Sequence, residues 1–160
     1  MPTSTACWSR SASSVPDRVV AVAGTGTEVG KTWVTAAAAR ALRERGRRVA
    51  ARKPAQSYAA SDPPATRDAA VLAAATGEHP DDVCPPHRSY AMAMAPPMAA
   101  AALGRPPITL AELRDELCWT DAVDVGFVET AGGVRSPIAE DGDNVALIVA
   151  LAPDAVLLVA

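Results

Sequence analysis

Short apolar runs alternate with alanine-rich, helix-forming stretches along most of this chain. Arg18 to Ala23 (RVVAVA) is continuous and rich in β-branched residues, the pattern of a strand buried on both faces. A glycine-rich turn follows, and then Thr32 to Arg45 offers good helix formers, with Arg40, Arg43, Glu44 and Arg45 on its late, exposed turns. Gly46 is placed to cap that helix, and Arg48 to Arg52 reads as a second strand stopped by Pro54. Together these segments predict a βαβ unit with a right-handed crossover between parallel strands.

The middle of the chain is less regular. Asp62, Pro63 and Pro64 mark a loop, and Thr66 is placed to cap a helix over Arg67 to Thr76 that Gly77 ends. Residues 78 to 97, with their prolines and two Met-Ala pairs, read as an irregular excursion. Pro97 opens a short predicted helix through Leu103, and Thr109-Leu110-Ala111-Glu112 matches a capping box for another. Asp124 to Val128 (DVGFV) reads as a third buried strand, ending at Glu129 and Ala131-Gly132-Gly133. Val145 to Leu151 predicts a helix and Ala155 to Ala160 a fourth strand. The expected class is therefore α/β, a parallel sheet with helices on both faces in a three-layer arrangement. A sequence stopping on an apolar strand also predicts a C-terminally incomplete domain.

Composition narrows the possibilities. The 160 residues suit one domain over 18–160, preceded by a Ser/Thr-rich tail over residues 1–17 that reads as disordered. A net charge of −3 argues against a protein that coats nucleic acid, and no stretch is apolar and long enough to predict a membrane span. Cys7, Cys84 and Cys118 are widely separated, form no CxxC pair and read as thiols in a reducing, cytoplasmic setting.

The chemistry concentrates in Gly24-Thr25-Gly26-Thr27-Glu28-Val29-Gly30-Lys31-Thr32, between the first strand and the first helix. Glycines there let successive N–H groups turn toward a phosphate, and the helix adds unpaired N–H groups and the positive end of its dipole. In a phosphate loop of this kind, the lysine reaches the β- and γ-phosphates and the hydroxyl at the Thr32 position ligates magnesium. The usual pattern leaves four residues between its two framing glycines; here five separate Gly24 from Gly30, and Thr25 stands where the first glycine is usual. Other residues carry two readings. Lys53 is either a phosphate-neutralising ammonium at the carboxyl end of the sheet or a solvated strand end. Asp68 suits a helix N-terminus whatever the function. Glu129, an acid at the end of a buried strand before small residues, has the arrangement that holds magnesium in phosphate-loop proteins.

The five-residue spacer, with Lys53-Pro54-Ala55-Gln56-Ser57, Arg67-Asp68-Ala69-Ala70, Tyr90 to Ala102 and Val128-Glu129-Thr130-Ala131-Gly132-Gly133, resembles the dethiobiotin synthetases over roughly residues 18–160. The resemblance implies a P-loop NTPase-like fold and ATP contacts from Gly26, Thr27, Glu28, Val29, Gly30, Lys31 and Thr32. It further implies Lys31 and Lys53 as catalytic cations, Ser57 as a substrate contact, and Thr32, Asp68 and Glu129 as magnesium ligands. The implied reaction joins carbon dioxide, supplied as bicarbonate, to 7,8-diaminononanoate with ATP and Mg2+, in a homodimer. Thr130 departs from the family's usual glycine, which predicts crowding or a restricted turn. Other readings remain: a ParA/MinD-like regulatory ATPase, disfavoured by the lack of a lysine in Gly24 to Thr27, a cobyrinate-amidating type of ligase, or an inactive truncated remnant.

Overall fold

The computed structural model describes residues 15–119 and 122–160. Four parallel strands form its central sheet: β1 (Arg18–Gly24), β2 (Val49–Arg52), β5 (Val125–Glu129) and β8 (Ala155–Val159), in the order β2-β5-β1-β8. Two short pairs lie outside it, a parallel one of β3 (Gln56–Ser57) with β4 (Ser89–Tyr90) and an antiparallel one of β6 (Pro137–Ala139) with β7 (Gly142–Asp143). The helices are α1 (Lys31–Glu44), α2 (Asp68–Thr76), α3 (Pro80–Val83), α4 (Pro96–Ala102), α5 (Leu110–Asp115) and α6 (Asn144–Leu151).

Alternation along the strands builds two cores, one per face of the sheet. Val49, Ala51 and Phe127 pack with α1 and α2 residues, including Ala36, Ala39 and Leu72. Ala50 and Val128 turn the other way, toward Ala99 of α4, Leu113 of α5 and Leu147 of α6. That is the period of a pleated strand buried on both faces, and it makes the three-layer α/β architecture of P-loop NTPases. Alanine recurs at these contacts, so the helices lie close to the sheet.

Several boundaries differ from the pattern-based expectation. Residues 1–14 of the expected tail lie outside the described residues; Pro16 is buried, and the Asp17 N–H donates to the Val123 carbonyl at 3.0 Å. Arg67, rather than Thr66, is the N-cap of α2, because Pro63 and Pro64 wind a tight turn in which the Thr66 hydroxyl donates to the Pro63 carbonyl. The helix end is met by a distant side chain: Gln56 Oε1 accepts from the Ala69 N–H at 3.0 Å. The expected excursion over 78–97 contains α3 and β4. β8 pairs with β1 at the edge of the sheet and leaves Val156, Leu157 and Leu158 exposed. Cys84 is a buried free thiol whose pKa burial pushes up to about 12, as read; Cys118 is disulfide-bonded, contrary to its reading as a thiol, and Cys7 lies outside the described residues. Among the described residues no helix is long and apolar enough to cross a membrane.

Leu72 is fully buried in the core beneath α2, the helix whose first residue is Asp68. Leu72→Ala is expected to lower stability by about 2–5 kcal/mol, read from urea unfolding; an unchanged midpoint would contradict this packing.

Candidate functional site

The carboxyl ends of β1, β2 and β5 bring the chemistry to one edge of the sheet. β1 runs into the loop Thr25 to Gly30, and α1 starts at Lys31. Gly30 takes a left-handed φ of 96°, which reverses the chain into the helix. Gly24 is needed for space, since a Cβ there would lie 2.9 Å from Lys31 Cδ and 2.8 Å from Val29 Cγ2. Glu28 holds a φ of 59°, uncommon for a residue with a side chain. The Lys31 ammonium folds back over this loop and donates to the Gly26 carbonyl at 2.8 Å. Burial, and then repulsion from Lys53, lower its pKa. Among the described residues it has no salt-bridge partner, so it is a desolvated cation held on one carbonyl.

Lys53 is in the opposite situation. At 2% exposed, its ammonium lies 2.7 Å from both Glu129 Oε1 and Asp68 Oδ2, and donates to the Thr130 carbonyl at 3.0 Å. Burial pulls its pKa down, but Glu129 and Asp68 together outweigh that and raise it, so Lys53 stays charged. Burial likewise opposes ionisation of Asp68, yet the Lys53 ammonium holds this carboxyl below its ordinary value.

Thr32 joins the two acids. Its hydroxyl lies 2.9 Å from Asp68 Oδ1 and 2.7 Å from Glu129 Oε1, yet it has one proton to share between them. Asp68 Oδ1 and Glu129 Oε1 thus compete for one hydroxyl proton, and Lys53 sets a single ammonium against the two carboxylates, an imbalance that a further cation would relieve. An octahedral magnesium at about 2.0–2.1 Å requires neighbouring ligand oxygens about 2.9 Å apart, and hard oxygen donors are its preferred ligands. The separations of the Thr32 oxygen from Asp68 Oδ1, 2.9 Å, and from Glu129 Oε1, 2.7 Å, are close to that requirement. Among the described residues no cluster of three or more His, Cys, Asp or Glu could hold a metal, so a hydroxyl and two carboxylates are the donors in question.

The structure therefore gathers Lys31, Thr32, Lys53, Asp68 and Glu129. Gly26 meets them through its carbonyl, while Thr27, Glu28 and Val29 lie along the loop. Ser57, on β3, is not hydrogen-bonded to this group; its hydroxyl is buried without a partner. Thr130 is fully buried and its hydroxyl donates to the Val22 carbonyl at 3.1 Å, so the side chain is occupied by the β1 backbone. Two contributors escaped the sequence reading. Thr35 donates to Glu129 Oε2 at 2.9 Å or to the Lys31 carbonyl, and its i+3 spacing from Thr32 was the signal for a shared helix face. Asn144 is buried and donates to the carbonyls of Ala131 at 2.7 Å and Gly133 at 2.8 Å, clamping the turn after Glu129; a helix-start asparagine carries no sequence signal of that role.

Two outcomes follow from this charge arrangement. Lys53→Met leaves Glu129, at 0% exposed, without its ammonium and is expected to cost about 3–5 kcal/mol in urea unfolding, with the double variant Lys53→Met, Glu129→Leu losing less. A double variant as unstable as the sum of the singles would contradict the pairing. Asp68 has a depressed folded-state pKa, so its contribution is complete above its ordinary value of 3.8 and vanishes as pH falls through the lower folded value. Urea resistance of the wild-type chain should drop below about pH 4, and Asp68→Asn should lose less over that interval. Equal losses would contradict this linkage.

Comparison with known proteins agrees with the geometry. The chain is 41% identical over 135 residues to the ATP-dependent dethiobiotin synthetase of Rhodopirellula baltica, covering 80% of this chain and 52% of that protein. It is 42% identical over 134 residues to the enzyme of that name from Caulobacter vibrioides, covering 81% and 60%. With that of Methylobacterium nodulans it shares 39% over 144 residues, covering 81% and 62%. The chain thus spans just over half to about three-fifths of the length of these relatives. A family model described as an AAA domain matches residues 18–160, and the chain belongs to that family.

Proposed function

We propose that this chain acts in the dethiobiotin synthetase reaction, the ATP- and magnesium-dependent joining of carbon dioxide to 7,8-diaminononanoate with closure of a ureido ring. The observation that carries this reading is the convergence of Thr32, Asp68 and Glu129 around a buried Lys53, beside Lys31, which has no salt-bridge partner among the described residues. The names of the similar proteins support the choice among phosphate-loop chemistries.

The loop from Gly26 to Thr32 cradles the ATP phosphates, with Thr27, Glu28, Val29 and Gly30 shaping its course. Lys31 exchanges the Gly26 carbonyl for phosphate oxygens, which repays its desolvation. Thr32, Asp68 and Glu129 would hold the magnesium ion, which when bound neutralises charge on the transferring phosphate. One substrate amine takes up carbon dioxide as a carbamate, the γ-phosphoryl group passes from ATP to the carbamate oxygen, and ADP leaves. The second amine attacks the carbamate carbon and expels phosphate, closing the ring. Lys53 stabilises charge at the carbamate end of this transfer, and Ser57 offers its unpartnered hydroxyl to the substrate. No covalent enzyme nucleophile is required. We place the reaction in the cytoplasm and in a homodimer, for which light scattering is the test.

Incubating the purified chain with ATP, magnesium, bicarbonate and diaminononanoate should yield dethiobiotin by mass spectrometry. Phosphate release with no dethiobiotin would point to the regulatory ATPase or the other ligase class, and absence of nucleotide binding to an inactive remnant. Lys31→Ala is expected to abolish ATP binding in calorimetry; unchanged affinity would refute the loop assignment.

A further inference from the structure

A cavity of about 520 Å3 opens beside the segment that leads into α2. Gln56, Tyr58, Arg67, Ser89 and Arg105 line it, while Lys31, Lys53, Asp68 and Glu129 do not. Its volume is in the range of pockets that take small molecules, roughly 300–1,000 Å3.

Among the described residues the cations of this cavity form no salt bridge. Arg67 stacks its guanidinium 3.9 Å over the Tyr58 ring, and its Nε is buried with no hydrogen-bond partner. Among the described residues no carboxylate pairs with it. Arg105 lies 5.2 Å over the Tyr90 ring and spends only Nη1 on protein, donating to the carbonyls of His87 at 3.4 Å and Ser89 at 3.2 Å. Asp81 is the acidic residue of the lining, and the pairing it makes is with His79 at 3.8 Å. Two guanidinium groups therefore face one carboxylate, and one N–H has been taken from water without replacement, which costs free energy. Stacking on tyrosine fixes each planar group and leaves its edge for a bidentate oxyanion.

From these features we infer that the cavity binds a small anion through a carboxylate or phosphate group held by Arg67 and Arg105. The site is separate from the phosphate loop and does not rest on the synthetase reading. It is nonetheless attached to the ion cluster: Arg67 is the N-cap of α2, Asp68 is the next residue, and Gln56 bridges the Ala69 N–H and the Ser89 hydroxyl.

The test titrates the full chain, 15N-labelled at arginine, with inorganic phosphate and, separately, with citrate. The readouts are the Arg67 Nε–H resonance, assigned by its absence in Arg67→Gln, and affinity by calorimetry. At least one anion should shift that resonance, and the shift should persist in Lys31→Ala, where the phosphate loop cannot respond. Affinity should fall about tenfold or more in Arg67→Gln and also in Arg105→Gln, an exposed position whose replacement spares the core. A response to phosphate alone marks a phosphoryl ligand, and a response to citrate alone a carboxylate. No shift with either anion, or binding that survives both arginine substitutions but disappears in Lys31→Ala, would overturn the proposal.

Discussion

An ammonium and a carboxylate, both withdrawn from water, meet at the end of the sheet. Lys53 is 2% exposed and Glu129 0%, and each would cost several kcal/mol to bury alone. Neither is alone. Lys53 also reaches Asp68 and the Thr130 carbonyl, and Glu129 accepts from the hydroxyls of Thr32 and Thr35. Satisfying those groups requires β2, β5, α1 and α2 to end or begin at the same point. The two cores fix the layers, but this cluster fixes where their ends converge.

The two lysines of the site answer opposite demands. Lys53 is neutralised internally, so its charge is retained in burial and its position is rigid. Among the described residues Lys31 donates only to the Gly26 carbonyl, and burial and Lys53 lower its pKa by more than the more distant Glu129 and Asp68 raise it. An anion placed in the loop would improve the environment of Lys31 while leaving Lys53 with its partners. A pre-organised frame with one under-satisfied cation favours a ligand bringing several negative charges at once.

Much of this was legible in the sequence because the relevant segments are long or glycine-marked. RVVAVA and DVGFV are continuous apolar runs, and the loop between Gly24 and Thr32 falls between a strand and a helix, as phosphate binding demands. Glu129 was legible as an acid ending a buried strand before small residues, Lys53 and Asp68 came mainly from motif resemblance, and the fold brings all three together. What remained hidden has local physical causes. β3 and β4 are two residues each, too short for any period to register, and they form because Gln56 and Ser57 lie alongside Ser89 and Tyr90. The cap of α2 was misplaced by one residue because its first free N–H groups are met by Gln56, thirteen positions from Ala69, a partner that local pattern cannot supply. Thr35 had only its i+3 spacing from Thr32 to mark it, and that spacing gains chemical meaning when Glu129 faces both hydroxyls.

Gln56 also shows how the sheet edge is connected to what surrounds it. Its amide oxygen holds the first turn of α2 and its amide nitrogen the Ser89 hydroxyl, so one side chain spans β3, β4 and the helix bearing Asp68. Arg67, next to Asp68 in sequence, carries a charge that no carboxylate among the described residues answers, whereas Asp68 is answered by Lys53. Cation and anion thus stand side by side on the chain but face different surroundings. Any change in the charge balance around Arg67 acts one residue from the acid that shares the Thr32 hydroxyl. The first turn of α2 is therefore the mechanical and electrostatic link between the cavity and the ion cluster, and its rigidity rests on Leu72 below and Gln56 at its end.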